Sequence, residues 1–182
     1  MKKFKKIAGV VAVVMVAVLT MAACGSEKQD VLPADKRVSA GFDHFEGEIL
    51  GGGVATDDIF KNADLTMINV WATFCPPCLD EMPELGKIAK EYKDKGFQIV
   101  GIVSDQSDAQ DATAKEIVKE TGADYTHLVA NADLMSGPLK DVQVVPTTIF
   151  VDKDGNKVGA TITGAKSEED WKKIIDNLLS QV

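Results

Sequence analysis

The sequence predicts an α/β fold in which a central mixed β-sheet is flanked by helices and preceded by a β-hairpin. Three observations carry that expectation. Two largely apolar runs, Leu65–Trp71 and Phe97–Val103, have the length of buried strands, and each precedes a stretch with apolar residues at helical spacing. Strands alternating with helices in this way build right-handed parallel crossover units. Further on, Asp154-Gly155 is a tight-turn signal between the stretches 147–151 and 157–162, which adds an antiparallel hairpin to the same sheet.

The elements follow in chain order. Residues 24–41 are polar and without periodicity, and are expected to form a flexible spacer ahead of one domain over 42–182. The triple glycine at 51–53 marks the turn of a hairpin that begins near Phe45. After the first buried strand, Leu79, Met82, Leu85, Ile88, Ala89 and Tyr92 define one face of a helix that Gly96 ends. An amphipathic helix over 111–120 stops at Gly122, and 127–129 is a candidate short strand. A terminal helix starts near Ser167 and faces the core through Trp171, Ile174, Ile175, Leu178 and Leu179.

The N-terminus carries an address. Lys2, Lys3, Lys5 and Lys6 precede an apolar run over 7–19 and the small pair Ala22-Ala23, the layout of a secretory signal. Cys24 follows at once, and the arrangement resembles a bacterial lipoprotein signal, with 1–23 removed and Cys24 lipidated. An uncleaved N-terminal helix is the alternative. Either way the domain is expected at the extracytoplasmic face of the bacterial cell membrane and tethered to it. The net charge over 182 residues is -8, and the signal holds four of the lysines, so the exported part is more acidic still. Such a surface favours solubility and argues against a nucleic-acid partner, which needs clustered Lys and Arg against phosphates. The chain is expected to act as a monomer.

With Cys24 assigned to the lipid, Cys75 and Cys78 remain. A bond between them closes too short a loop to stabilise the fold much, so the pair reads as chemistry. Cys75 lies where a buried strand meets a helix. A thiolate there accepts hydrogen bonds from the free N–H groups of the first turn and meets the positive end of the helix dipole. Pro76 and Pro77 suit that turn, where neither misses an N–H, and the next donor is the N–H of Cys78. Such effects bring thiol pKa values in these motifs to roughly 3.5–7.5. Cys75 is the expected nucleophile and Cys78 the resolving thiol. No cofactor or metal is expected beyond their redox-active disulfide.

The run Val70-Trp71-Ala72-Thr73-Phe74-Cys75-Pro76-Pro77-Cys78, with Glu81-Met82-Pro83, Val145-Pro146-Thr147-Thr148 and Asp154-Gly155, resembles TlpA/ResA-type lipoproteins and anchored periplasmic reductases over about residues 42–182. The resemblance implies a thioredoxin-like fold and a thiol–disulfide oxidoreductase. It implies a cis bond at Pro146 facing Cys75, and a substrate surface of Trp71, Pro76, Pro77, Val145 and Pro146, with the Val145 backbone open to an extended substrate segment. It carries a role over to Glu81, one helical turn below the cysteines: a partly buried carboxyl of raised pKa that moves the Cys78 proton. The implied substrates are exported proteins, such as apocytochrome c in cytochrome c-type biogenesis or methionine sulfoxide reductase. The implied electron donor is a CcdA-like membrane protein. Three positions depart from the pattern: Asn69 replaces the buried aspartate of cytoplasmic thioredoxins, Phe74 a usual Trp, and Leu79 a frequent Lys or Arg.

Other readings stay open. A disulfide-forming oxidase would use the same residues. A peroxidase needs an Arg beside its cysteine, and the sole arginine, Arg37, falls in the expected spacer. A thioredoxin-like copper or metal chaperone would draw its third ligand from His127, one of two histidines. Asp105, Asp108 and Asp111 read as a solvated loop and cap, since they lack a calcium-loop pattern.

Overall fold

In chain order the elements are β1 (Glu46–Glu48), β2 (Val54–Thr56), a 3-10 helix (Asp57–Asn62), β3 (Leu65–Trp71), α1 (Pro76–Tyr92), β4 (Phe97–Val103), α2 (Ala112–Thr121), β5 (Thr126–Val129), α3 (Ala132–Ser136), β6 (Thr147–Asp152), β7 (Ile162–Thr163) and α4 (Glu168–Leu179). They are seen in a computed structural model that describes Pro33 and residues 36–182. The expected signal, Cys24 and most of the expected spacer lie outside the described residues. β1 and β2 form the expected hairpin, and the other strands make one sheet in the order β5-β4-β3-β6-β7. β3, β4 and β5 run parallel, while β6 is antiparallel to β3 and β7 to β6.

Side chains alternate across a strand, so each strand divides its residues between two layers. Leu65, Met67 and Phe97 share one face and pack on Leu85 and Ile88 of α1 and on Trp171 and Ile175 of α4. Trp71, Val103 and Val129 continue that layer towards Met82 of α1 and Ala114 of α2. The other face, with Ile68, Val70, Val100 and Ile102, is covered by Phe42, Phe45, Phe60 and Leu134. Those three phenylalanine rings lie 5.7–6.0 Å apart, each pair adding about 0.5–1.5 kcal/mol beyond its burial.

The helix ends follow their local chemistry. Asp111 Oδ1 accepts from the Ala114 N–H at 2.7 Å, and Gly122 closes α2 at φ +66. Ser167 caps α4 by accepting from the Asp170 N–H. Gly86 lets α1 approach the end of α2, since a Cβ there would meet the Gly122 carbonyl oxygen at 2.3 Å.

Four stretches differ from expectation. The strand expected over 157–162 is broken: Lys157 makes a single bridge to Val151, the chain leaves the ladder at Gly159 (φ +70), and only Ile162–Thr163 pairs with β6. The 3-10 helix and α3 are too short to show a helical period. The spacer was expected to reach residue 41, yet its last residues are docked. Arg37 donates to the Asp152 carboxylate at 3.2 Å and to the Gln181 carbonyl at 2.6 Å, and the Lys157 N–H donates to the Val38 carbonyl at 2.8 Å. A guanidinium brought to a buried carboxylate must be paired, and this one is. Asp152 lies at the end of β6 remote from Pro146, so Arg37 stands away from the cysteines. Among the described residues no helix is long and apolar enough to cross a membrane.

Candidate active site

β3 ends at Trp71 and the chain turns through residues 72–74 into α1. Two contacts hold the turn. The Cys75 N–H donates to the Ala72 carbonyl at 3.1 Å. Asp105, which follows β4, accepts from the Thr73 N–H at 3.0 Å and from its hydroxyl at 2.5 Å. Sequence reasoning placed Asp105 in a solvated loop and missed this tie; no local pattern links it to a residue 32 positions earlier.

Cys75 is the N-cap of α1, and Pro76 and Pro77 occupy its first turn. The two cysteines form a disulfide (S–S 2.06 Å, Cα–Cα 5.3 Å), and the Cys78 N–H donates to the Cys75 sulfur at 3.3 Å. Cys75 keeps 5% of its surface and Cys78 none. An incoming thiolate or disulfide therefore meets Cys75.

Register brings the second half of the site to the first. Val70 pairs with Thr147, so the chain just before β6 lies beside the chain just after β3. The Val145–Pro146 bond is cis, and the Val145 carbonyl oxygen lies 3.6 Å from the Cys75 sulfur. In the disulfide this is a contact; a Cys75 thiol could donate across it. Pro76 and Pro77 are exposed, Val145 is half-buried and Pro146 is buried. Trp71, expected at the substrate surface, is wholly buried and cannot touch a substrate directly. Beside Val145 lies a depression of about 200 Å³ whose lining carries no charged residue. Phe74, Met135 and Val144, three of the exposed large apolar residues, stand around it.

Glu81 is buried at 2% exposure, not solvated. Its Oε1 accepts from the Asn69 amide at 3.0 Å, and its Oε2 accepts from the Trp171 indole N–H and the Lys166 backbone N–H, each at 3.3 Å. Burial pushes the carboxyl above the usual carboxylate range, the three donors pull it back, and Glu84 adds a smaller upward push. Because the folded value is raised, the stabilising contribution of this group is full at low pH and is lost as pH rises through that value. Glu81→Gln is therefore expected to be more stable than the native protein at neutral pH. The gain should vanish in acid, as urea melts across that range would record.

His127 has no nitrogen to spare. Its Nδ1 accepts from the Trp71 indole N–H at 3.1 Å and its Nε2 donates to the Ala123 carbonyl at 2.9 Å. Tyr125 stacks on the ring at 4.5 Å. Burial lowers its pKa to about 4, so the ring is neutral. It braces Trp71 beneath the cysteines and is not placed as the metal ligand considered above. Among the described residues no group of three His, Cys, Asp or Glu side chains could hold a metal ion.

Comparison with known proteins agrees with this geometry. The Redoxin family model matches residues 51–179. The thiol-disulfide oxidoreductase ResA of Bacillus anthracis is 31% identical over 102 residues, 56% of this chain and 56% of that protein. The chain thus matches little more than half the length of such relatives. The thiol:disulfide interchange protein DsbE of Haemophilus influenzae is 30% identical over 140 residues, 74% of this chain and 72% of that protein. The crystal structure of a thioredoxin family thiol:disulfide interchange protein from Chlorobium tepidum superposes with a TM-score of 0.65 at 26% identity, covering 78% of this chain and 97% of that one.

Proposed function

The chain belongs to the Redoxin family, and on that premise we propose that it is a thiol–disulfide oxidoreductase working through Cys75 and Cys78. The observation that carries this reading is the disulfide at the start of α1, in which Cys75 keeps the pair's remaining exposed surface and has its sulfur 3.6 Å from the Val145 carbonyl. A substrate segment laid along Val145 in extended form brings its own sulfur to Cys75. The uncharged depression beside it takes a neighbouring apolar side chain. Glu81 accepts the Cys78 proton when the second thiol attacks, and Pro76 and Pro77 shape the approach from the helix side.

In the finer reading, Cys24 carries the lipid that tethers the domain outside the cell membrane, and the dithiol reduces disulfides of exported proteins. Apocytochrome c and methionine sulfoxide reductase are the substrate types, and a CcdA-like membrane protein restores the dithiol. This reading is supported by the lipoprotein-like signal and by similarity to one protein named a thiol-disulfide oxidoreductase and another named a thiol:disulfide interchange protein.

The reduction potential of the Cys75–Cys78 couple tests it, by equilibration against glutathione and dithiothreitol buffers. A value near or below about -250 mV is expected for a reductase. A value above about -150 mV would reverse the direction and make the protein a disulfide-forming oxidant.

A further inference from the structure

Asn69 lies in β3, wholly buried. Its amide nitrogen donates to Glu81 Oε1 at 3.0 Å and to the hydroxyl of its cross-strand partner Thr148 at 3.4 Å. The amide oxygen is buried with no hydrogen-bond partner. A buried carbonyl in that state is uncommon, because it has given up water and gained nothing.

This orientation suits Glu81 only as a carboxylate. Both carboxyl oxygens are faced by donors, so a proton arriving on Oε1 would meet the Asn69 NH2 head-on. A half-turn of the amide exchanges its oxygen and nitrogen and leaves every other heavy atom in place. Oδ1 then accepts from Glu81 Oε1–H and from the Thr148 hydroxyl, which can donate as well as accept.

We propose that Asn69 is a positioning residue that serves both protonation states of Glu81, its amide making a half-turn each time the carboxyl gains or loses a proton. An aspartate at this place could not do so, since it would set a second carboxylate against the first. The use of the device in turnover rests on the oxidoreductase reading; the response of the amide to Glu81 does not. The titratable groups around Glu81 are Glu84, with Cys78 one turn earlier on the same helix, and Tyr125 ahead of β5; Lys166, ahead of α4, faces it through its backbone N–H. Of these, Cys78 is silent in the disulfide.

The test uses the oxidised, isotope-labelled protein, in which neither active-site thiol titrates. The Glu81 carboxyl carbon and the Asn69 side-chain amide protons are followed by NMR from alkaline to acid pH. The amide proton bonded to Glu81 is expected to lose its hydrogen-bonded shift at the midpoint shown by the carboxyl, with its Overhauser contacts turning away from Glu81. An amide that stays bonded towards Glu81 while the carboxyl protonates would overturn the proposal. So would a carboxyl that never changes state while the protein is folded, since the amide would have nothing to answer. Asn69→Leu supplies a second readout. It removes a charge-assisted bond from the carboxylate and a weaker neutral one from the acid, so the apparent acid constant of Glu81 should fall by about fivefold. A fixed donor would favour the carboxylate alone, and its loss would shift the constant by about tenfold or more; a change of tenfold or more counts against the half-turn. Neither readout depends on turnover, so a failure here and a failure of the oxidoreductase reading are separately visible.

Discussion

Cys75→Ala is expected to reduce disulfide exchange to background, a loss on the order of 10³-fold or more, as when other enzymes lose their nucleophile. In the proposed cycle the Cys75 thiolate attacks a substrate disulfide, forming a mixed disulfide and releasing one substrate thiolate. Cys78 then attacks the Cys75 sulfur, expels the second substrate thiolate and closes the Cys75–Cys78 bond. The geometry makes the two steps unequal. Cys75 caps α1, receives the Cys78 N–H and is the only one of the pair with exposed surface. Cys78→Ala should therefore halt after the first step and accumulate one mixed disulfide per molecule on Cys75, read by mass spectrometry under non-reducing conditions. Adduct formed on Cys78 in the Cys75→Ala protein would contradict this order.

Gly101→Ala carries the largest expected effect on stability. Gly101 sits in β4 between Asn69 and His127. A Cβ there would meet His127 Nδ1 at 2.2 Å and Cε1 at 2.7 Å. The ring has nowhere to retreat, because Tyr125 stacks on it and Nδ1 holds the Trp71 indole N–H. Overpacking and the loss of that buried hydrogen bond together should cost about 3 kcal/mol, measured by denaturant unfolding. The same substitution should cost clearly less in a His127→Ala background, because the clash is then gone. Equal costs in the two backgrounds would place the cause elsewhere.

How far the chain could be read in advance varies by element. Leu65–Trp71 and Phe97–Val103 are buried on both faces and show as largely apolar runs, so their bounds were legible. Asp111 and Gly122 bracket α2 through capping chemistry that acts within a few residues. Cys75, Pro76, Pro77 and Cys78 announce a helix start by the same local rules. The break in the strand over 157–162 was not legible, because a single glycine at positive φ decides it and Gly159 has no turn partner to flag it. Arg37 looked like part of a polar tail, since its partner Asp152 is 115 residues away.

The candidate site divides in the same way. The cysteine pair and its prolines belong to one strand-to-helix junction, and the sequence alone determined them and set the expectation that Cys75 attacks first. The sequence also pointed to Glu81 and Pro146, through resemblance. Only the tertiary structure decided that Glu81 is enclosed by Asn69, Trp171 and the Lys166 N–H, that Trp71 is buried instead of facing substrate, and that both His127 nitrogens are bonded within the fold. Local rules act over one turn of helix or one strand pleat. Burial, charge state and the meeting of Val145 with Cys75 depend on the register of β3 against β6 and on which helices close over the sheet, and those are set by packing between residues far apart in the chain.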